Sequence, residues 1–180
     1  MSGHHTRLNW CTKPHCLSKR LDLSVKHWLF DSGSLTARLV KHCSGKFSVK
    51  VISIKRATPT PDEISVLGMR PRSHALIREV LLCCDDKPVV YARTIIPVSS
   101  LRGALRGLAL LGNRPLGAVL FSDKSMVRQP MEITSLQPGH RCYAWTGCES
   151  LKTIWGRRSV FTLKGRELLV SEFFLPDLFK

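Results

Sequence analysis

The chain has 180 residues, 43% of them hydrophobic, and sets 28 Lys and Arg against 13 Asp and Glu for a formal net charge of +15. That length and apolar content suit one domain, residues 1–180, with a sizeable core, and exclude a disordered chain. No run approaches the roughly 20 apolar residues of a membrane span, so stable membrane insertion is not expected.

The basic excess calls for an anionic partner, yet Lys and Arg are spread through all segments instead of forming the block that marks a nucleic-acid tail. Residues 1–7 lack the apolar core of a secretory signal. Seven cysteines is an odd count, and Cys83 and Cys84 are adjacent. Reduced thiols in a cytoplasmic protein are the expectation.

In chain order, residues 24–30 read as a short helix capped by Ser24, broken at Asp31-Ser32-Gly33. Ser34 caps a second helix to about His42. From Lys46 to Ile54, Phe47, Val49 and Val51 alternate with polar residues as a half-exposed strand. Pro59, Pro61, Gly68 and Pro71 mark a loop-rich stretch. Strands 74–84 and 89–96, around Asp85-Asp86-Lys87-Pro88, form a hairpin.

Ser99 or Ser100 can cap a helix to about Leu111, ended by Gly112. Residues 127–133 form a strand that Pro130 pushes to an edge, and 136–150 is a long loop. A last hairpin, 158–163 with 167–175, turns at Lys164-Gly165-Arg166. About six hairpin-joined strands with grouped helices give an α+β fold: a single antiparallel sheet with helices packed on it.

Two residues conflict with that plan. Strand alternation puts Glu172 on the face of Leu168, Val170 and Phe174, and Arg78 on the face of Leu76, Val80 and Leu82. A charge on an apolar sheet face is costly unless something pairs with it. Either the two form a buried ion pair, or they grip opposite ends of a small polar molecule.

Other constellations are weaker. Cys11-x4-Cys16 with His15, and Cys142-x5-Cys148, lack the tight spacing of structural zinc sites, and no metal is expected. Cys83 and Cys84 read as small packing residues. No Gly-rich phosphate loop is present. Helices 24–30 and 34–42 have a helix-turn-helix order, but Trp28, Leu29 and Phe30 demand burial, which argues against nucleic acid. Arg157-Arg158 reads as a solvated strand start ahead of a substrate role, and Pro115-Leu116-Gly117 as a tight turn with amides free for a ligand.

Five segments in order resemble the chorismate lyase family. They are 78–83 (Arg-Glu-Val-Leu-Leu-Cys), 92–99 (Ala-Arg-Thr-Ile-Ile-Pro-Val-Ser), 115–121 (Pro-Leu-Gly-Ala-Val-Leu-Phe), 155–159 (Trp-Gly-Arg-Arg-Ser) and 171–176 (Ser-Glu-Phe-Phe-Leu-Pro). The resemblance covers about residues 20–180, nearly the whole chain.

The resemblance implies conversion of chorismate to 4-hydroxybenzoate and pyruvate, toward ubiquinone, with no cofactor. It implies a six-stranded antiparallel sheet and helical flaps over a buried ligand; a monomer is the separate expectation. It places the ring carboxylate on Arg78, the ring hydroxyl near Glu172, and backbone contacts at Leu35 and Leu116. Catalysis would fall to Glu172 and Arg78. The chain departs from the family in having Leu35 where methionine is frequent, and in a longer loop at 136–152 with Cys142 and Cys148. The rival expectation is a small-anion-sensing module of the same fold that binds without turnover.

Overall fold

The computed structural model describes residues 8–12 and 21–180. Within them one antiparallel sheet of seven strands carries all the helices: β1 (Phe47–Ala57), β2 (Ala75–Cys84), β3 (Lys87–Pro97), β4 (Val127–Arg128), β5 (Glu132–Leu136), β6 (Ile154–Leu163) and β7 (Arg166–Phe174). The spatial order is β1-β2-β3-β7-β6-β4, with β5 also on β6. The α-helices are α1 (Leu23–Leu29), α2 (Leu35–His42), α3 (Pro61–Val66) and α4 (Leu116–Ser122).

Both hairpins close on two residues. Asp85 and Asp86 have φ of 49° and 65°, and Lys164 and Gly165 have 50° and 73°. Positive φ at both positions matches the right-handed strand twist that tight hairpins need. The second turn is therefore Lys164-Gly165, with Leu163 opposite Arg166.

One face of the sheet bears two apolar clusters. The first joins α1 and α2 to Val80, Leu82, Ala92 and Phe174. The second joins α4 and the 3-10 segment Gly103–Leu110 to Leu76, Phe161, Leu168 and Val170. Where they meet, the strands carry Arg78, Thr94, Glu172 and Arg157, and a cavity opens. The other face packs against α3 and the 3-10 segment Arg141–Thr146.

Several expectations need correcting. α1 begins at Leu23 after Asp22, so Ser24 is inside the helix and not its cap. The stretch 59–71 contains α3, built by a capping box in which Thr60 and Glu63 bond each other's backbone amides, with Pro61 opening the helix. Residues 98–111 form two 3-10 segments in place of one α-helix, because the backbone turns extended at Arg102 and Gly103 opens the second segment at φ 56°. Residues 115–117 open α4 and do not form an isolated turn.

β6 starts at Ile154, four residues earlier than expected, which places Arg157 and Arg158 mid-strand and buried, 1% and 4% exposed. Reduced thiols throughout are also overturned, since Cys43 and Cys84 form a disulfide. Cys43 caps α2 and Cys84 ends β2, and their Cα atoms lie 5.2 Å apart, within ordinary bridging reach.

Candidate functional site

Two helices roof the cavity. α2 presents its first residue, Leu35, after Ser34, whose hydroxyl accepts a hydrogen bond from Ala37 N and fixes the start of the helix. α4 presents Leu116 after Pro115. Both leucines are buried and line the cavity. First-turn amides have no acceptor within their own helix, so the Leu35 and Leu116 N–H groups are donors for something else. The roof is tight: a Cβ added at Gly117 would lie 3.0 Å from Thr36 Oγ1.

Arg78 enters from β2 and is 3% exposed. Its Nη2 donates to the carbonyls of Gly112 and Arg114 at 2.9 and 3.0 Å, tying down the segment ahead of α4. Its Nε is buried with no hydrogen-bond partner. No carboxylate pairs with it among the described residues, and burial alone pushes its pKa down.

Glu172 faces Arg157 directly across the β6–β7 hairpin. Arg157 Nε donates to Glu172 Oε2 at 2.6 Å, and its Nη1 donates to the carbonyls of Trp28 at 2.9 Å and Asp31 at 2.6 Å. The guanidinium thus closes the C-terminal end of α1 while holding the carboxylate. The second carboxylate oxygen of Glu172 makes no hydrogen bond among the described residues. Gly156, beside Arg157, is obligatory, since a Cβ there would sit 2.7 Å from the Phe173 ring.

A third cation, Arg128 on β4, also lines this cavity. Its Nε donates to Ser159 Oγ at 3.0 Å and its Nη1 to the Ser32 carbonyl at 3.2 Å, with the guanidinium 5.2 Å from the centre of the Phe161 ring. Burial, then the charge of Arg157, lowers its pKa.

The opposite face of the sheet holds a larger cavity of about 220 Å³, with Arg93 and Arg158 in its wall. There two of the lining arginines are satisfied internally. Arg93 pairs with Glu63 and Glu79, and Arg158 with Asp62 and Glu132. Each also lies on an indole, Trp145 and Trp10. Those arginines have no charge to spare for an anion.

The sequence-predicted residues Leu35, Arg78, Leu116 and Glu172 all line the first cavity. Arg78 and Glu172 do not pair with each other, which excludes one of the two sequence readings. The carboxylate's partner is Arg157, one of the pair read as a solvated strand start. Arg128 carried no sequence signal, being one Arg in a short, Pro-interrupted edge strand. Among the described residues no group of three or more His, Cys, Asp and Glu could hold a metal. His15 and Cys16 of the weak zinc pattern lie outside the described residues. No helix among the described residues is long and apolar enough to cross a membrane.

Comparison with known proteins bears on this cavity. The family model described as chorismate lyase matches residues 7–180. A protein of Aromatoleum aromaticum named "Probable chorismate pyruvate-lyase" is 44% identical over 174 residues, 94% of this chain and 92% of that one. One of the same name from Methylococcus capsulatus is 43% identical over 153 residues, 84% and 94% of the two chains. Among solved structures, the effector domain of PhnF from Mycobacterium smegmatis superposes with a TM-score of 0.59 at 17% identity, covering 82% of this chain and 91% of that one. At that identity the likeness is one of fold.

Proposed function

The chain belongs to the chorismate lyase family, and from that premise we propose that it eliminates pyruvate from chorismate, giving 4-hydroxybenzoate, in the cavity lined by Leu35, Arg78, Leu116 and Glu172. One observation carries the placement. Arg78 is a buried guanidinium with an unpartnered Nε and no carboxylate, facing an enclosed space. An uncompensated buried charge is costly, and a carboxylate ligand removes that cost.

Chorismate carries a ring carboxylate, a hydroxyl and an enolpyruvyl ether on a cyclohexadiene ring. Loss of the ether as pyruvate, together with the proton on the hydroxyl-bearing carbon, leaves an aromatic phenol, so the reaction is strongly downhill. The protein has to fix the conformer, exclude water and assist proton transfer. Arg78 takes the ring carboxylate and sets the orientation. The amides of Leu35 and Leu116, free at their helix starts, donate to the ligand's polar ends. Glu172, held by Arg157, offers its second oxygen to the ring hydroxyl beside the proton that leaves.

The cavity encloses about 50 Å³, room for one or two waters. Admission of the substrate therefore requires α2 and α4 to part at the Thr36–Gly117 contact, and their return sequesters the ring. With this reading go a single-domain, monomeric, cytoplasmic enzyme that needs no cofactor and whose 4-hydroxybenzoate feeds ubiquinone synthesis. The competing outcome is a small-anion sensor, since the fold is shared with the PhnF effector domain. Purified protein mixed with chorismate should release 4-hydroxybenzoate and pyruvate in equal amounts. Tight binding of 4-hydroxybenzoate with no consumption of chorismate would make it a sensor.

A further inference from the structure

We infer that Arg128 binds the second carboxylate of the substrate, the one on the three-carbon enol ether that departs, so that the cavity is built for a dianion. The inference rests on the reading that chorismate occupies this site.

It starts from a charge count. The charged side chains lining the cavity are Arg78, Arg128, Arg157 and Glu172. Arg157 and Glu172 neutralise each other at 2.6 Å. Arg78 and Arg128 have no carboxylate partner among the described residues, which leaves two positive charges facing one enclosed space. On the opposite face, by contrast, Arg93 and Arg158 are each given two carboxylates. A mono-anion would answer one of the two surplus charges and leave the other unanswered.

Position agrees with the count. Arg78 on β2 is opposite Thr94, Thr94 opposite Val170, and Val170 opposite Ser159. Ser159 holds Arg128 through its hydroxyl. Arg78 is thus rooted at one end of this row, and the guanidinium of Arg128, reaching in from β4, is held at the other end, three strand spacings or about 14 Å along it. Ala92, Glu172 and Arg157 form the adjoining row, which puts the carboxylate between them. A ring gripped by one carboxylate at Arg78 and by the ether carboxylate at Arg128 lays its hydroxyl-bearing edge toward Glu172. After elimination the Arg128 ligand leaves with pyruvate, while the product stays on Arg78.

The alternative role for Arg128 is to anchor the turn ahead of α2 through Ser32. Two benzoates separate the roles: 3-(carboxymethoxy)benzoate supplies a second carboxylate, and 3-methoxybenzoate does not. Wild-type protein should prefer the diacid by about tenfold or more, as a charge-assisted hydrogen-bonded contact allows. Arg128→Gln should erase that preference and lower kcat/KM for chorismate by about 10- to 100-fold, while affinity for 4-hydroxybenzoate stays within about threefold. Arg128→Lys, which keeps the charge, should restore part of the preference. Equal losses for diacid, methyl ether and 4-hydroxybenzoate in Arg128→Gln would make Arg128 a structural anchor and overturn the inference. So would an undiminished preference for the diacid in that variant, and chorismate turnover alongside it would leave the lyase reading standing. Arg128-dependent diacid binding in a protein that never consumes chorismate would do the reverse.

Discussion

Glu172 and Arg157 sit directly opposite each other on β7 and β6, joined Oε2 to Nε at 2.6 Å, with the arginine almost wholly buried beneath the end of α1. The pair explains how a carboxylate survives on an apolar sheet face. It also links the candidate site to the flap, because Arg157 holds the Trp28 and Asp31 carbonyls that lead into α2.

Glu172→Gln therefore has two expected effects. On an apolar face with no partner, a neutral amide would be the cheaper group to bury. With Arg157 beneath it, the amide leaves a buried guanidinium without its countercharge, and stability should fall by about 1–3 kcal/mol. If Glu172 also takes the ring proton or stabilises developing positive charge, kcat should drop by about 10²–10⁴. Denaturant melts and steady-state kinetics on one preparation check both. A drop in stability with full kcat would confine Glu172 to structure.

Arg78→Ala should lower affinity for chorismate and for 4-hydroxybenzoate together, by roughly 100-fold or more, since both carry the ring carboxylate. The variant also frees the carbonyls of Gly112 and Arg114, so Leu116 should lose its fixed position. Arg78→Lys can keep a charge but not the forked geometry, and should recover only part of the loss. Calorimetry with 4-hydroxybenzoate is the measurement. Unchanged product affinity in the alanine variant removes Arg78 from the site.

Cys43→Ser tests the strap between α2 and the sheet. The bridge spans 41 residues of sequence, a loop whose closure is worth about 2–4 kcal/mol against the unfolded chain. Reductant should lower the midpoint of denaturation for the wild type and leave the variant unmoved. Equal reductant sensitivity in both proteins would mean that the bridge does not form in solution.

The fold was legible where patterns were local. Alternation in 74–84 and 167–175 placed Arg78 and Glu172 on one face, as found. What failed was register. A turn at Lys164-Gly165-Arg166 sets residue 172 opposite 158, whereas the two-residue turn at Lys164-Gly165 sets it opposite Arg157. Arg157 itself, the partner of the misfit carboxylate, was read as solvated because the strand was expected to begin only at residue 158, four residues late. α3 was hidden because Pro59, Pro61, Gly68 and Pro71 outweighed the Thr60-x-x-Glu63 signal that starts it. The disulfide and Arg128 depend on segments far apart in sequence, and nothing local announces either.

Acid should loosen the flap through Asp31. Its Oδ1 accepts from Gly33 N at 2.7 Å, and its Oδ2 from Arg38 Nη1 at 2.6 Å, which also donates to the His27 carbonyl. These bonds brace the turn from which α2 rises. Burial raises the Asp31 pKa, but the Gly33 amide and the charges of Arg38 and Arg157 outweigh it and leave the group below its ordinary 3.8. A depressed folded value means that the unfolded chain binds the proton more readily. The stabilisation is thus complete above about pH 4 and is lost as pH falls through the lower folded value. Because the Arg38–Asp31 pair is partly solvated, its worth is about 1 kcal/mol or less. Asp31→Asn should be slightly less stable than wild type at pH 7, and the gap should close as acid protonates Asp31 in the folded protein. Affinity for 4-hydroxybenzoate at neutral pH should fall with it, since Leu35 rides on the same turn. Parallel pH–stability curves for the two proteins would show that Asp31 does not brace the flap.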